Sequence, residues 1–284
     1  MKIPEDAEVI TTFAEYARVV ETFFDGHLGL LVLVGRPGLS KSFEFERQIA
    51  ARQANAYILR GMASPFKLYA NLYENMDKFI ILDDAEVVWG EKDGRVLLRA
   101  LCEVKKPCQV SWEKASRWLE FHGYPNTFQT HSRVCLICNK FHFGKSEEFA
   151  AIADRGHLVF FDPSPAEVHR YAGTWFPVTP DSKKIYKYIG RLLDYMPDLS
   201  FRVYEKSLQN LKGGRDWQEI LQNIYLAKND MQLVIDLEKN RKLSGRERLQ
   251  IFAKKAKCGS RGAYYKYRAM AMRHQPEGNE GNES

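Results

Sequence analysis

The chain has 284 residues, of which 45% are hydrophobic and 27% charged, and a formal net charge of +6. This is the composition of an ordinary globular protein, long enough to bury a real core as one large domain or two modest ones. No apolar run is long enough to span a bilayer, and the first residues lack the basic-then-apolar layout of a secretory signal. A cytoplasmic protein with no membrane partner is therefore expected.

In chain order, Val9, Phe13, Ala17, Val20 and Phe24 fall at helical spacing, an amphipathic helix. Residues 30–34 form a continuous apolar run, read as a buried strand, which breaks into Gly35-Arg36-Pro37-Gly38-Leu39-Ser40-Lys41-Ser42. Strand, Gly/Pro turn and a helix opened by Lys-Ser form the context of a phosphate-binding loop. Loop N–H groups wrap an anion, Lys41 reaches the β/γ-phosphates of ATP and the Ser42 hydroxyl ligates Mg²⁺. Ser40 stands where the second glycine of G-x-x-x-x-G-K-[ST] usually is, at some cost in backbone freedom.

Residues 43–54 then read as a helix, 56–59 as a strand and 65–74 as a second helix. After Lys78 the strand run Phe79-Ile80-Ile81-Leu82 is apolar and ends in Asp83-Asp84. An acid-terminated strand after a phosphate loop is the second half of a nucleotide site, with Asp83 on Mg²⁺ and Asp84 orienting and deprotonating the attacking water. Residues 96–104 read as a helix, and 109–112 with 117–121 as a β-hairpin that offers the basic side chains of Lys114 and Arg117. Residues 133–140 form another buried strand, ending in Asn139, which is placed to hold the attacking water or the γ-phosphate. A helix over 149–154 and a strand over 158–161 follow, and Asp162-Pro163-Ser164-Pro165 is a breaker. Beyond it, residues up to about 237 are helical in pattern. The five cysteines (Cys102, Cys108, Cys135, Cys138 and Cys258) are odd in number and scattered. Cys135 and Cys138 fall inside a strand run, pointing to opposite faces, and all five read as core thiols in a reducing compartment.

Strands alternating with helices predict an α/β fold with a parallel sheet covered on both faces and a ligand at the strands' carboxyl ends. The order of motifs resembles the AAA+ ATPase superfamily, and the Asp-Asp form its replication-initiator and helicase-loader branch. The resemblance implies an ATP-binding core over 1–162, an all-α lid over 163–238, and Asn139 as the first sensor. The segment 151–156 is similar to the one that carries the arginine finger, so Arg155 would act on ATP bound by a neighbouring subunit of a homo-oligomer; Arg133 is the alternative. Residues 199–204 are similar to the lid helix of the second sensor, making Arg202 a phosphate contact within the same subunit.

Charge is concentrated near the C-terminus. Residues 239–273 carry twelve basic side chains against one acid, Glu247, and 274–284 read as a disordered acidic tail. A segment at +11 points to a polyanion. Two helices, 246–256 and one from 260, joined by Cys258-Gly259, resemble a helix-turn-helix, with Ser260, Arg261, Tyr264, Lys266 and Arg268 on DNA and Ala263 and Tyr267 inward. Charge alone leaves RNA open. The expected activity is ATP hydrolysis coupled to DNA by an initiator, helicase loader or transposition-type regulator, with a helicase, recombinase or polymerase as partner. The alternatives are a translocating helicase, an ATP-gated switch with little turnover, and a transcriptional regulator.

Overall fold

A computed structural model describes residues 7–61, 64–84, 91–103, 105–114, 116–139, 154–225, 230–240, 242–256 and 260–273. The chain divides into two compact units, Met1–Glu167 and Val168–Ser284.

The first unit contains strands β1 (Glu8–Ile10), β2 (Leu30–Gly35), β3 (Ala56–Arg60), β4 (Phe79–Asp83), β5 (Cys108–Ser111), β6 (Thr127–Thr130), β7 (Arg133–Cys138) and β8 (His157–Phe161). Six of them form an all-parallel sheet in the order β1-β8-β2-β7-β4-β3, while β5 and β6 pair antiparallel. Helices α1 (Phe13–Phe24), α2 (Lys41–Arg52), α3 (Pro65–Glu74), α4 (Lys92–Leu101) and α5 (Arg117–His122) belong to the same unit. The α/β fold with a parallel sheet is the one the alternation predicted.

Burial explains why the strands are continuous apolar runs rather than alternating ones: both faces of the sheet are covered. Leu30, Val32 and Val34 enter one core with Ile80, Leu82, Leu136 and Cys138, roofed by Leu68, Leu98, Leu119 and Phe128. Alternation sends Leu31, Leu33, Ile81 and Cys135, all buried, to the other face. Helices α1 and α2 contribute Phe23, Phe24 and Phe45 to an aromatic cluster with Phe79, ring centroids 5.0–6.0 Å apart. Cys135 and Cys138 thus lie on opposite faces, and burial pushes the Cys135 thiol well above its ordinary value.

Two sequence readings change. Val9 belongs to edge strand β1, paired with β8, and α1 begins only after Thr12. There the Thr12 hydroxyl accepts from Glu15 N–H at 3.2 Å, and Glu15 Oε2 accepts from the Thr12 N–H at 3.0 Å, a reciprocal cap that fixes the helix start. The expected hairpin is also different. Residues 117–121 lie in helix α5, started by Ser116 and stopped by Gly123 in the left-handed region, and β5 pairs instead with β6. The expected helix over 149–154 lies mostly outside the described residues, as do the Cys258-Gly259 turn and the acidic tail.

Helix α6 (Pro165–Ala172) spans the boundary, and the second unit continues with α7 (Pro180–Gly190), α8 (Phe201–Lys212), α9 (Trp217–Tyr225), α10 (Asp230–Lys239), α11 (Gly245–Lys255) and α12 (Arg261–Arg273). In its core the His169 ring stacks on Tyr186 at 4.0 Å, and His169 Nδ1 shares a 2.8 Å hydrogen bond with the Tyr204 hydroxyl. Burial lowers the His169 pKa and raises that of Tyr204, so the pair is neutral. Helices α10, α11 and α12 close a separate small core of Val234, Leu237, Phe252 and Tyr264.

Candidate functional site

Strand order brings the site together. Because β7 lies between β2 and β4, the carboxyl ends of these three strands are neighbours, and Gly35, Asp83 and Asn139 emerge side by side. The loop after β2 folds over this edge. A Cβ at Gly35 would meet the Phe161 carbonyl oxygen at 2.9 Å, so only glycine fits there. Gly38 has φ +79°, and Ser40 is also left-handed at φ 55°, ψ 36°. The position usually held by glycine therefore demands a backbone that serine adopts only at a cost of about 1–2 kcal/mol.

Lys41 opens α2 and is 7% exposed. Its Nζ donates to the carbonyls of Gly35 (2.7 Å) and Arg36 (3.0 Å) and to Asn139 Oδ1 (3.1 Å). The Asn139 amide in turn donates to Asp84 Oδ1 at 3.1 Å. Next to this chain, the Ser42 hydroxyl donates to Asp83 Oδ2 at 2.6 Å. Asp84 is held at φ 62°, a conformation that aspartate tolerates better than most residues. Five of the sequence-predicted residues (Lys41, Ser42, Asp83, Asp84 and Asn139) are thus joined by side-chain hydrogen bonds at one edge of the sheet.

Other loop members act through their neighbours. The Arg36 guanidinium pairs with Asp162 (3.3 Å) and donates to the Pro163 carbonyl (2.7 Å), tying the loop to the chain after β8. Leu39 is buried. Pro37 occupies the turn between Arg36 and Gly38.

Two contributors escape sequence reasoning. Tyr16 on α1 donates its hydroxyl to the Lys41 carbonyl oxygen, bracing the start of α2 from behind, while its ring stacks on Phe161 at 4.7 Å. Arg60 ends β3 in register with Asp83 and reaches its carboxylate at 3.6 Å, with Glu46 as its second partner. Neither was visible without the strand order.

Arg155 is not brought to this cluster. It precedes β8, at the amino-terminal edge of a parallel sheet whose carboxyl edge carries the loop, and its Nε lies 3.9 Å from Glu103. Arg133, the alternative finger, begins β7 at the same amino edge and packs on Gly26. Arg202 is exposed on α8 of the second unit, lining a groove with Lys206, Trp217 and Leu221.

The basic segment has its own centre. Glu238 on α10 accepts from Arg248 Nη1 (3.0 Å) and the Tyr264 hydroxyl (2.6 Å), and pairs with Arg268 Nε (3.1 Å). Tyr264 is 2% exposed, its ring 5.3 Å from Phe252. Burial first, then the Glu238 hydrogen bond, push its phenol up to about 12. Its expected place on DNA is corrected: adjacent tyrosines point different ways on a helix, and packing against α10 and α11 draws Tyr264 inward. Tyr265, which the sequence reading passed over, is 43% exposed, with the Arg261 guanidinium 5.8 Å from its ring centroid. Arg268 is half-buried against Glu238, and Tyr267 packs against the small core as expected. Ser260 directly precedes α12 and its carbonyl accepts from Tyr264 N–H at 3.1 Å; the Lys266 side chain lies outside the described residues.

Among the described residues, no helix is long and apolar enough to cross a membrane. No family model matches the chain, and no curated protein matches it. Among solved structures it is similar to a DNA replication initiation factor at 14% identity, covering 80% of this chain and 69% of that one with a TM-score of 0.45. It is also similar to the DNA clamp loader delta protein of Bacillus subtilis at 13% identity, covering 84% and 70% with a TM-score of 0.31.

Proposed function

We propose that this chain is an AAA+-type ATPase that acts on DNA as an oligomer, in the manner of an initiator, a helicase loader or a transposition-type regulator. The observation that carries the reading is the linked cluster Lys41–Asn139–Asp84 and Ser42–Asp83 at the carboxyl edge of a parallel sheet. Lys41 Nζ, held at the loop by two carbonyls, supplies the positive charge that the phosphates of ATP would meet there.

The donor set fits Mg²⁺. Ser42 Oγ and an Asp83 carboxylate oxygen are hard oxygens 2.6 Å apart, and they leave the remaining positions to phosphate and water. When bound, Mg²⁺ would neutralise phosphate charge. Asp84, exposed and joined to Asn139, is the residue that orients water and takes its proton. Asn139 bridges that base to Lys41, so water and phosphate are aligned by one side chain. Arg155 is assigned to the ATP of a neighbouring copy, because its strand edge faces away from its own loop. Arg202 is assigned to phosphate from the lid, and the basic helices to DNA.

The test is ATP turnover with and without DNA for the natural chain, Arg155→Ala, Lys41→Ala and an equal mixture of the two variants. Either variant alone should lose about 10²–10³-fold in turnover, and the mixture should recover part of it because one intact interface can form. Failure of the mixture to recover removes the shared site. Failure of the natural chain to bind ATP removes the whole reading.

One observation favours a second reading, an ATP-gated switch with little turnover. Both departures from the commoner residues, Ser40 and Asp84, fall on left-handed backbone. Tight ATP binding without turnover under any DNA condition would select it.

A further inference from the structure

The basic helices present a face that the fold does not require. On α12 the residues Arg261, Gly262, Tyr265 and Ala269 are all exposed and fall on one side of the helix, while Tyr264 and Tyr267 turn into the small core. Gly262 is the unusual member. It has helical backbone, and a Cβ built on it would meet nothing within 4 Å among the described residues, so neither their packing nor the conformation asks for glycine. Glycine in a helix costs stability relative to alanine. The remaining use of a missing side chain at an exposed position is close approach by something outside the chain.

That partner has to be a polyanion. Residues 239–273 hold twelve basic side chains against one acid, Glu247, which is engaged in the cap of α11, and the adjoining Glu238 is taken up by Arg248, Tyr264 and Arg268. Arg246, Lys254 and Lys255 on α11 are exposed as well. The strip itself carries one large side chain, Tyr265, with Arg261 over its ring, between two of the smallest residues. A helix with its side chains is about 10–12 Å wide, and the major groove of B-DNA is about 12 Å wide, so a slim face is what entry requires. The major groove of duplex RNA is too narrow and deep for a helix.

We propose that the outward strip of α12, Arg261, Gly262, Tyr265 and Ala269, enters the major groove of duplex DNA, with Tyr264 and Arg268 locked on Glu238 as the struts that orient it. This rests on the DNA-acting reading above and sharpens it: Arg261 and Tyr265 touch the duplex, whereas Tyr264 and Arg268 are positioning residues.

The experiment measures fluorescence anisotropy with the full chain and ATP. The probes are labelled DNA duplexes enriched from a random-sequence pool by the natural chain, the same sequences single-stranded, and the matching RNA duplex. Gly262→Leu adds a good helix former in open space, so it should keep or raise the melting temperature while weakening duplex binding about tenfold. Tyr265→Ala and Arg261→Ala should weaken it by a similar factor. Tyr264→Phe should lower the melting temperature and weaken binding less than Tyr265→Ala. If Gly262→Leu and Tyr265→Ala bind as the natural chain does while Lys254→Ala with Lys255→Ala does not, the strip is wrong and the DNA reading stands. A preference for single strands or for the RNA duplex overturns the groove assignment. If no nucleic acid binds, the DNA reading falls and takes the strip with it.

Discussion

The cluster at the sheet edge and the basic helices near the C-terminus are held by opposite means. Asp83 and Asn139 sit at the ends of two adjacent strands, and Lys41 and Ser42 open the helix that follows a third; the strands are almost wholly buried, so these positions follow from a large core on two faces. Among the described residues, helices α10, α11 and α12 share a core of four buried side chains with partly buried ones such as Leu233, Leu249 and Tyr267 packed on it, and one carboxylate that gathers two arginines and a tyrosine. The first region tolerates backbone strain at Ser40 and Asp84 because its surroundings over-determine it. The second has no such reserve. A small core supplies only about 3–5 kcal/mol, so its polar centre and its helix caps decide whether it is ordered.

The largest expected effect tests that difference directly. Phe252 and Phe45 are both fully buried, one in each core. Replacing either by alanine costs about 3–5 kcal/mol. For Phe252→Ala this matches the whole reserve of its core, so α10–α12 should lose hydrogen-exchange protection and DNA binding should vanish while DNA-independent ATP turnover persists. Phe45→Ala should lower the melting temperature of the first unit without unfolding it at 25 °C. Equal protection losses in both variants would end the contrast.

A smaller effect probes the strain. Ser40 and Gln53 both have left-handed backbone, Ser40 at the start of α2 and Gln53 at its end. Ser40→Gly and Gln53→Gly should each stabilise the first unit by about 1 kcal/mol, a rise of about 2–4 °C in melting temperature. Only Ser40→Gly should also tighten ATP binding, because only that position shapes the phosphate loop. If Gln53→Gly tightens ATP binding equally, strain at Ser40 has no special bearing on the site.

The same contrast governs what the sequence could disclose. Lys41, Ser42 and the paired acids belong to short motifs that carry their own chemistry, and the alternation of apolar runs with helical segments was enough for the parallel sheet. Arg60 and Tyr16 were hidden because their roles arise from which strands and helices become neighbours, which no local spacing encodes. Helix α5 was misread although its stop signals were present. Trp118 and Phe121 favour strands by composition, but Ser116 and Gly123 bound six residues that pair with nothing in a sheet. In the basic segment the charge was legible and the facing was not. Whether Tyr264 or Tyr265 turns inward depends on the packing of α10, which lies outside the segment that the charge count singles out.

The smallest expected effect concerns the two reciprocal caps, Thr12 with Glu15 on α1 and Ser244 with Glu247 on α11. Backbone and hydroxyl donors at Thr11 and Thr12 hold the Glu15 carboxyl below its ordinary value of 4.5, and the hydroxyl and N–H of Ser244 do the same for Glu247. The sign follows from the direction: a carboxyl with a depressed folded pKa lends stability that is complete above the ordinary value and is lost as pH falls through the folded one. Both caps therefore weaken in the same acid window below pH 4.5, and the Glu→Gln variants, whose amide oxygen still accepts the cap N–H, lose that pH dependence. The consequences should differ. Helix α1 also buries Phe13, Tyr16, Val20, Phe23 and Phe24 and has its Phe13 N–H held by Glu167 at 3.0 Å, so its first turn has other anchors. Helix α11 buries Phe252 alone among its described side chains. On acidification, amide protection factors at the start of α11 should fall before those at the start of α1, and Glu247→Gln should abolish the pH dependence of the first without touching the second. If both helices fray together, the caps rather than the cores set local order, and the difference between the two regions is one of charge alone.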